Sequence, residues 1–293
     1  MSDQHGSYYL PEPTKWPTIT SAGIFLLAVG FVMFMNEISN AHWLMLAGLA
    51  VLIYIMIGWF GEVAVESEKG LYDSQVDMSF RMSMGWFITS EVMFFAAFFG
   101  ALFYARILSV PWIAETELLW PGFDAMWPTA GPEGAAHIGV DVTSGIEAGQ
   151  FSTIGAWGLP FWNTVILLTS SVTVTFAHWA LIAGDRAKLN IWLAVTVALG
   201  VLFLYLQGLE YAHAYNDLGL TLGTGVYGAT FFMLTGFHGF HVTVGTICLA
   251  VILFRTLKGH FNKDNHFGFE GVAWYWHFVD TVWVGLFIFV YVL

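Results

Sequence analysis

The chain has 293 residues, a formal net charge of −12 and only 10% charged side chains, against about 25% in soluble globular domains. Hydrophobic residues make up 57% and aromatics 18%, which excludes an ordinary soluble domain. The acidic balance argues against a nucleic-acid partner, because nucleic acid selects basic surfaces.

The opening residues, MSDQHGSYYLPEPTKWP, are polar and punctuated by proline. They lack the basic-then-apolar order of a cleaved signal peptide, so the first apolar run is expected to be retained. A helix needs about 20 mostly apolar residues to cross the hydrocarbon core. Seven runs meet that requirement: Thr18–Met35, His42–Val63, Phe80–Ile107, Gly158–Ala183, Asn190–His213, Gly228–Phe254 and Phe269–Leu293. Their edges carry an error of about 2–4 residues. Helices are predicted because an isolated strand leaves backbone groups unpaired in lipid. The runs also lack the period-2 alternation of a membrane barrel.

The connections orient the chain. Under alternation, Lys15, Lys69, Arg81, Arg186, Lys188, Arg255, Lys258 and Lys263 share one side, and only Arg106 falls on the other. Basic residues accumulate in the cytoplasm, which predicts a cytoplasmic N-terminus and an outer C-terminus. The outer segment 108–159 is rich in Gly and Pro. It carries Glu115, Glu117, Asp124, Glu133, Asp141 and Glu147 with no Lys or Arg. It reads either as a solvated acidic loop or as an attractor for a basic outer partner.

Ionisable groups inside spans suggest function by default. Glu91 lies about eleven residues into the third run, near mid-membrane at about 1.5 Å per residue. His238 and His241 in the sixth run, and His277 and Asp280 in the seventh, sit at similar depth. Each of these two pairs is spaced i,i+3 and is expected to share a helix face. Glu91 is expected to be protonated or hydrogen-bonded to a histidine of the sixth run. Three roles stay open for it: a polar clasp between helices, a proton-linked site, or a share in a metal site with the histidines. Two histidines three apart on one helix cannot flank a haem. The lone Cys248 excludes an intrachain disulfide and a cysteine-built metal site. No Gly-rich phosphate loop and no nucleophile–base constellation occurs.

At the cytoplasmic end of the sixth run, RTLKGHFNK concentrates Arg255, Lys258, His260 and Lys263. Trp59 and Trp86 lie near the same level. Cations beside interfacial aromatics read either as plain positive-inside topology or as a phospholipid head-group site. Glycines bracketing His238, at 236 and 239, read as helix-packing positions.

The segments FITSEVMFF (87–95), TGFHGFHV (235–242) and HFGFEGVAWYWHFVDTVWVGLFIFVY (266–291) closely resemble cytochrome c oxidase subunit III. So do NTVILLTSS (163–171), AHW (177–179), GDR (184–186), LQGLEY (206–211) and VYGATFF (226–232). They follow the family's order from the third run to the end. The first two runs match less sharply, through hydropathy, Trp59, Glu62 and Glu66. The resemblance implies a single all-α membrane domain over 1–293: a tail (1–17), a helix pair (18–63) and a five-helix bundle (80–293). Helices I–II and III–VII would be separated by a V-shaped cleft that holds phospholipid. It implies a subunit without a redox centre, packed mainly against subunit I beside subunit II, with haem and copper in those partners. Their complex takes electrons from cytochrome c, reduces oxygen and pumps protons. Subunit III would support sustained turnover, proton uptake and oxygen access.

Glu91 matches the carboxylate of the family's third helix beside that cleft. Arg255 matches a cation near a lipid phosphate, with His260 beside it, and Trp59 matches a head-group-level aromatic. The implied lipid contacts are Trp59, Glu66, Trp86, Arg255, Lys258 and His260. The chain departs from the family at Trp179, where a second histidine is common. It departs also at Thr224–Gly225, where an Asp commonly precedes VYG, and at Val65, where many members carry Arg. The expected location is a bacterial inner membrane. A quinol oxidase subunit and an independent proton-linked transporter are the competing readings. The two N-terminal runs favour cytochrome c as donor, and the absence of an internal repeat disfavours a transporter.

Overall fold

The computed structural model describes residues 13–132 and 151–293. Among the described residues all regular structure is helical, and seven helices are long and apolar enough to cross a membrane. They are α1 (Trp16–Met35), α2 (Ala41–Glu68), α3 (Ser74–Phe103), α5 (Leu159–Ile182), α6 (Arg186–Asn216), α7 (Gly225–Leu257) and α8 (Phe267–Leu286). A π-helical segment, Tyr104–Ser109, and the short α4 (Val110–Ala114) continue α3, and a second π segment, Phe287–Val292, continues α8. Each of the seven predicted runs is therefore one helix.

The helices outrun their apolar portions. The third was expected to span Phe80–Ile107, but the stretch runs from Ser74 to Ala114. At its start Asp73 Oδ1 accepts the Val76 N–H at 2.8 Å, and Arg81 pairs with Asp77 at 2.7 Å. Polar residues satisfied within the helix let it extend beyond the hydrocarbon. The outer connection thus begins after Ala114 rather than near Leu108. In the same way α6 starts at Arg186, four residues before its expected start, because Asp185 caps it. The Asp185 carboxylate accepts the Lys188 N–H at 3.1 Å and meets the Lys188 ammonium at 3.0 Å. These contacts hold its carboxyl below the usual carboxylate range.

The chain forms two compact units, one ending at Arg81 and one beginning at Met82. In the smaller unit α1 and α2 make an antiparallel hairpin. A Cβ at Gly48 would lie 2.6 Å from the Leu27 backbone nitrogen, so the helices meet there at backbone contact. The Trp16 ring lies over Gly58, and its Nε1–H donates to Glu62 at 2.5 Å.

The larger unit packs α5–α8 around Trp276 and Trp283, both fully buried. Trp276 donates its indole N–H to Ser170 at 2.9 Å, and its ring fills the space left by Gly200 and Gly245. Trp283 donates to Thr164 at 2.9 Å. Thr173 and Thr196 join α5 to α6 at 2.8 Å, and Tyr211 and Thr235 join α6 to α7 at 2.7 Å. The outer half of α3 contributes Phe94, Phe95 and Phe98 against Phe237, His241 and Phe278. Small residues and interhelical hydrogen bonds are what hold helices together where lipid is as apolar as leucine.

Gly225, at φ +59°, marks the departure from the family noted before VYG. Its bare Cα lets the Ala130 carbonyl press against the start of α7, where that carbonyl accepts the Val226 N–H at 3.2 Å. Glu115, Glu117 and Asp124 are exposed on this outer connection. Glu133, Asp141 and Glu147 lie outside the described residues, as do the first twelve residues of the tail.

Gly48→Ala forces the α1–α2 hairpin apart, and overpacking of this kind costs about 1–3 kcal/mol. The expected outcome is a lower midpoint in thermal unfolding of the detergent-solubilised protein, with helix content retained before the transition.

Candidate functional site

Helix α3 carries Glu91 and helix α7 carries His241 to a common depth, with Glu91 Oε2 3.0 Å from His241 Nε2. The other ring nitrogen, Nδ1, lies 2.6 Å from the Phe237 carbonyl oxygen. A carbonyl only accepts, so Nδ1 carries a hydrogen. The contact through Nε2 joins α3 to α7 at membrane depth. Rings of Phe94, Phe95, Phe240 and Tyr275 surround the imidazole.

The remaining mid-membrane residues engage other neighbours. His238 and His241 were expected to share a face, yet three residues leave them about 60° apart on a helix of 3.6 residues per turn. At a junction of several helices that rotation selects different partners. His238 Nε2 lies 3.2 Å from the Val279 carbonyl of α8, and its ring sits between Phe203 and Trp283. His277 Nδ1 meets Ser171 Oγ of α5 at 2.6 Å. Asp280 is 3% exposed, and neither carboxyl oxygen has a hydrogen-bond partner among the described residues. The hydrogen bonds join Glu91 to His241 only, not to His238, His277 or Asp280. Among the described residues no three His, Cys, Asp or Glu side chains come together as a metal-holding group.

The inner rim of the larger unit is built around the turn after α7. The Arg186 guanidinium donates to the His260 carbonyl at 2.7 Å and to the Phe261 carbonyl, fixing the turn through Phe261 at φ +63°. Arg255 stacks over the Phe261 ring at 4.3 Å and points Nε at His260 Nδ1, 3.4 Å away. Lys258 lies over Phe254 at 4.3 Å. Trp86 is exposed on α3. In the smaller unit Trp59 is exposed on α2, and Glu66 accepts the Tyr72 hydroxyl at 2.7 Å.

Several polar residues escaped the sequence reading. Glu210, 1% exposed, accepts the Tyr291 hydroxyl at 2.6 Å. It lies three residues before the end of the expected run Asn190–His213, whereas α6 continues to Asn216, nearly a turn further. The i,i+3 pair Gln207–Glu210 was the available signal. Ser170, Ser171 and Arg186 sit inside recognised motifs, but the serines' partners lie on α8 and those of Arg186 in the turn after α7, all distant in sequence.

Removing His241 leaves the half-buried Glu91 without its partner across the helices, a loss of about 1 kcal/mol. His241→Ala is therefore expected to lower the thermal midpoint of the purified protein more than Glu91→Gln. The amide keeps an oxygen and an N–H for the imidazole.

The geometry stands beside three sets of relatives. The family profile described as cytochrome c oxidase subunit III matches residues 6–133 and 139–293. A cytochrome c oxidase subunit 3 of Prototheca wickerhamii is 40% identical over 285 residues, covering 97% of this chain and 96% of the relative. Proteins of the same description from Marchantia polymorpha and Arabidopsis thaliana are 38% and 37% identical over 292 residues, covering 99% of this chain and 97% and 98% of theirs. With identity sustained along nearly the whole length and seven membrane-length helices in order, the chain belongs to the cytochrome c oxidase subunit III family.

Proposed function

We propose that this chain is the non-redox subunit of a proton-pumping terminal oxidase that takes electrons from cytochrome c. In this reading haem and copper reside in subunits I and II, and the chain packs mainly against subunit I. Family membership over the whole length carries the proposal. The two N-terminal spans support a cytochrome c donor. The eight-to-one division of basic residues supports an N-terminus on the inner side of the membrane, which this reading takes to be a bacterial inner membrane. The role of the chain is to sustain turnover by stabilising the catalytic subunit and supporting proton uptake and oxygen access. The Glu91–His241 contact at membrane depth supports the proton role, because it joins two proton-binding groups.

The inner rim is proposed as a phospholipid site. Arg255 and Lys258 supply the charge a phosphate selects, with His260 beside them. Trp86 provides the interfacial aromatic; Trp59 and Glu66 are read as lipid contacts of the smaller unit taken by itself. Aromatic stacking under both cations supports the reading, since it holds the side chains in place before a head group arrives.

Affinity purification through this chain is expected to bring down haem-bearing subunits that oxidise reduced cytochrome c. Recovery of a quinol-oxidising complex, or of the chain alone with coupled ion flux, overturns the assignment. The paired variant Arg255→Ala with Lys258→Ala is expected to reduce phospholipid retained per purified complex and to hasten loss of activity during turnover. Unchanged lipid content overturns the lipid site.

A further inference from the structure

We propose that, in the assembled complex, a membrane helix of a second, different subunit lies along the uncovered face of α8 and offers His277 Nε2 a hydrogen-bonding side chain. Such docking rests on the reading of this chain as an oxidase subunit, and it assigns the face that meets the neighbour. Trp274, His277, Thr281 and Val284 fall within one stripe of α8, about 80° wide on a helix of 3.6 residues per turn. They are half-buried or exposed and lie outside the packed core, whereas Val272 and Val282 of the same helix pack into it. Steps of three, four and three residues make the seam along which one helix packs lengthwise on another.

The chemistry of the stripe identifies its occupant. His277 lies ten positions after Phe267 in a membrane-length stretch of 26 residues, about 15 Å along it at a rise of about 1.5 Å per residue. Its Nδ1 is taken by Ser171 Oγ at 2.6 Å, and its Nε2 has no hydrogen-bond partner among the described residues. Thr281 differs, because its hydroxyl already donates to the His277 carbonyl at 2.8 Å. Acyl chains carry no hydrogen-bonding group, so an imidazole nitrogen turned to them at this depth has neither water nor partner. Polar side chains within spans accordingly face other protein or a water-filled cavity. A facing helix with a hydroxyl, amide or carboxyl opposite His277 supplies what lipid lacks. Where α6 and α7 are uncovered they instead show side chains such as Ile191, Val201, Leu202, Ile247 and Val251, which suit lipid. Ser171 holds the imidazole from α5, and the adjoining Trp276 donates to Ser170 at 2.9 Å. The register that orients His277 is thus fixed twice before a partner arrives, which lowers the cost of docking.

Site-directed photocrosslinking in the intact complex tests the face. With a benzophenone amino acid in place of Thr281, irradiation is expected to join this chain to a membrane segment of a haem-bearing subunit. Adducts with lipid alone, or with another copy of this chain, overturn the docking while leaving the subunit reading in place. His277→Leu is expected to weaken retention of the chain by the haem-bearing subunits roughly threefold, the average effect of losing an interhelical hydrogen bond in lipid. His277→Gln, whose amide keeps a hydrogen-bonding group there, is expected to restore it. Retention unchanged in His277→Leu overturns the proposal. Should that variant fail to fold, the crosslink from position 281 decides by itself. Purification of the chain with no haem-bearing subunit overturns both the docking and the reading beneath it.

Discussion

The buried indole of Trp276 is the contact on which the larger unit depends. It is fully buried, its N–H reaches Ser170 on α5, and its ring rests against Gly200 on α6 and Gly245 on α7. One side chain on α8 thus registers three other helices. In water the hydrophobic effect would drive such helices together. In lipid that drive is absent, so close fit and interhelical hydrogen bonds take its place. The threonine pair between α5 and α6 and the Tyr211–Thr235 bond between α6 and α7 repeat the same solution at other levels.

The same shortage of water governs the ionisable groups. At mid-depth Glu91 meets His241 across α3 and α7, while Glu210 takes a phenol from a helix that is locally rewound to reach it. Both of these acids are matched to a partner on another helix, so each also ties two helices together. The hydrogen bond that satisfies the acid is the one that joins the helices.

At the turn after α7, where the helix ends, the polar groups are used differently. Arg186 is used to fix that turn, and Arg255 and Lys258 lean on aromatic faces.

Hydropathy dictates the seven membrane-length helices, because it is a sum over stretches of residues and survives errors at any one position. Motifs such as WYWHFVD and TGFHGFHV dictate the family for a similar reason, being long and nearly unbroken. Depth is also legible, since it follows from counting residues along a helix, and it brought Glu91 and His241 into one candidate site. Direction is not legible. Whether His238 or His241 faces Glu91 depends on about 60° of rotation and on which helix lies alongside. Glu210 hid because a helix end depends on capping and local pairing rather than apolarity. The reach of Tyr291 to Glu210 depends on one widened turn, and the need for glycine at 225 depends on a carbonyl ninety-five residues away. These are properties of packing, set by what each side chain meets across helices, and a linear pattern does not carry them.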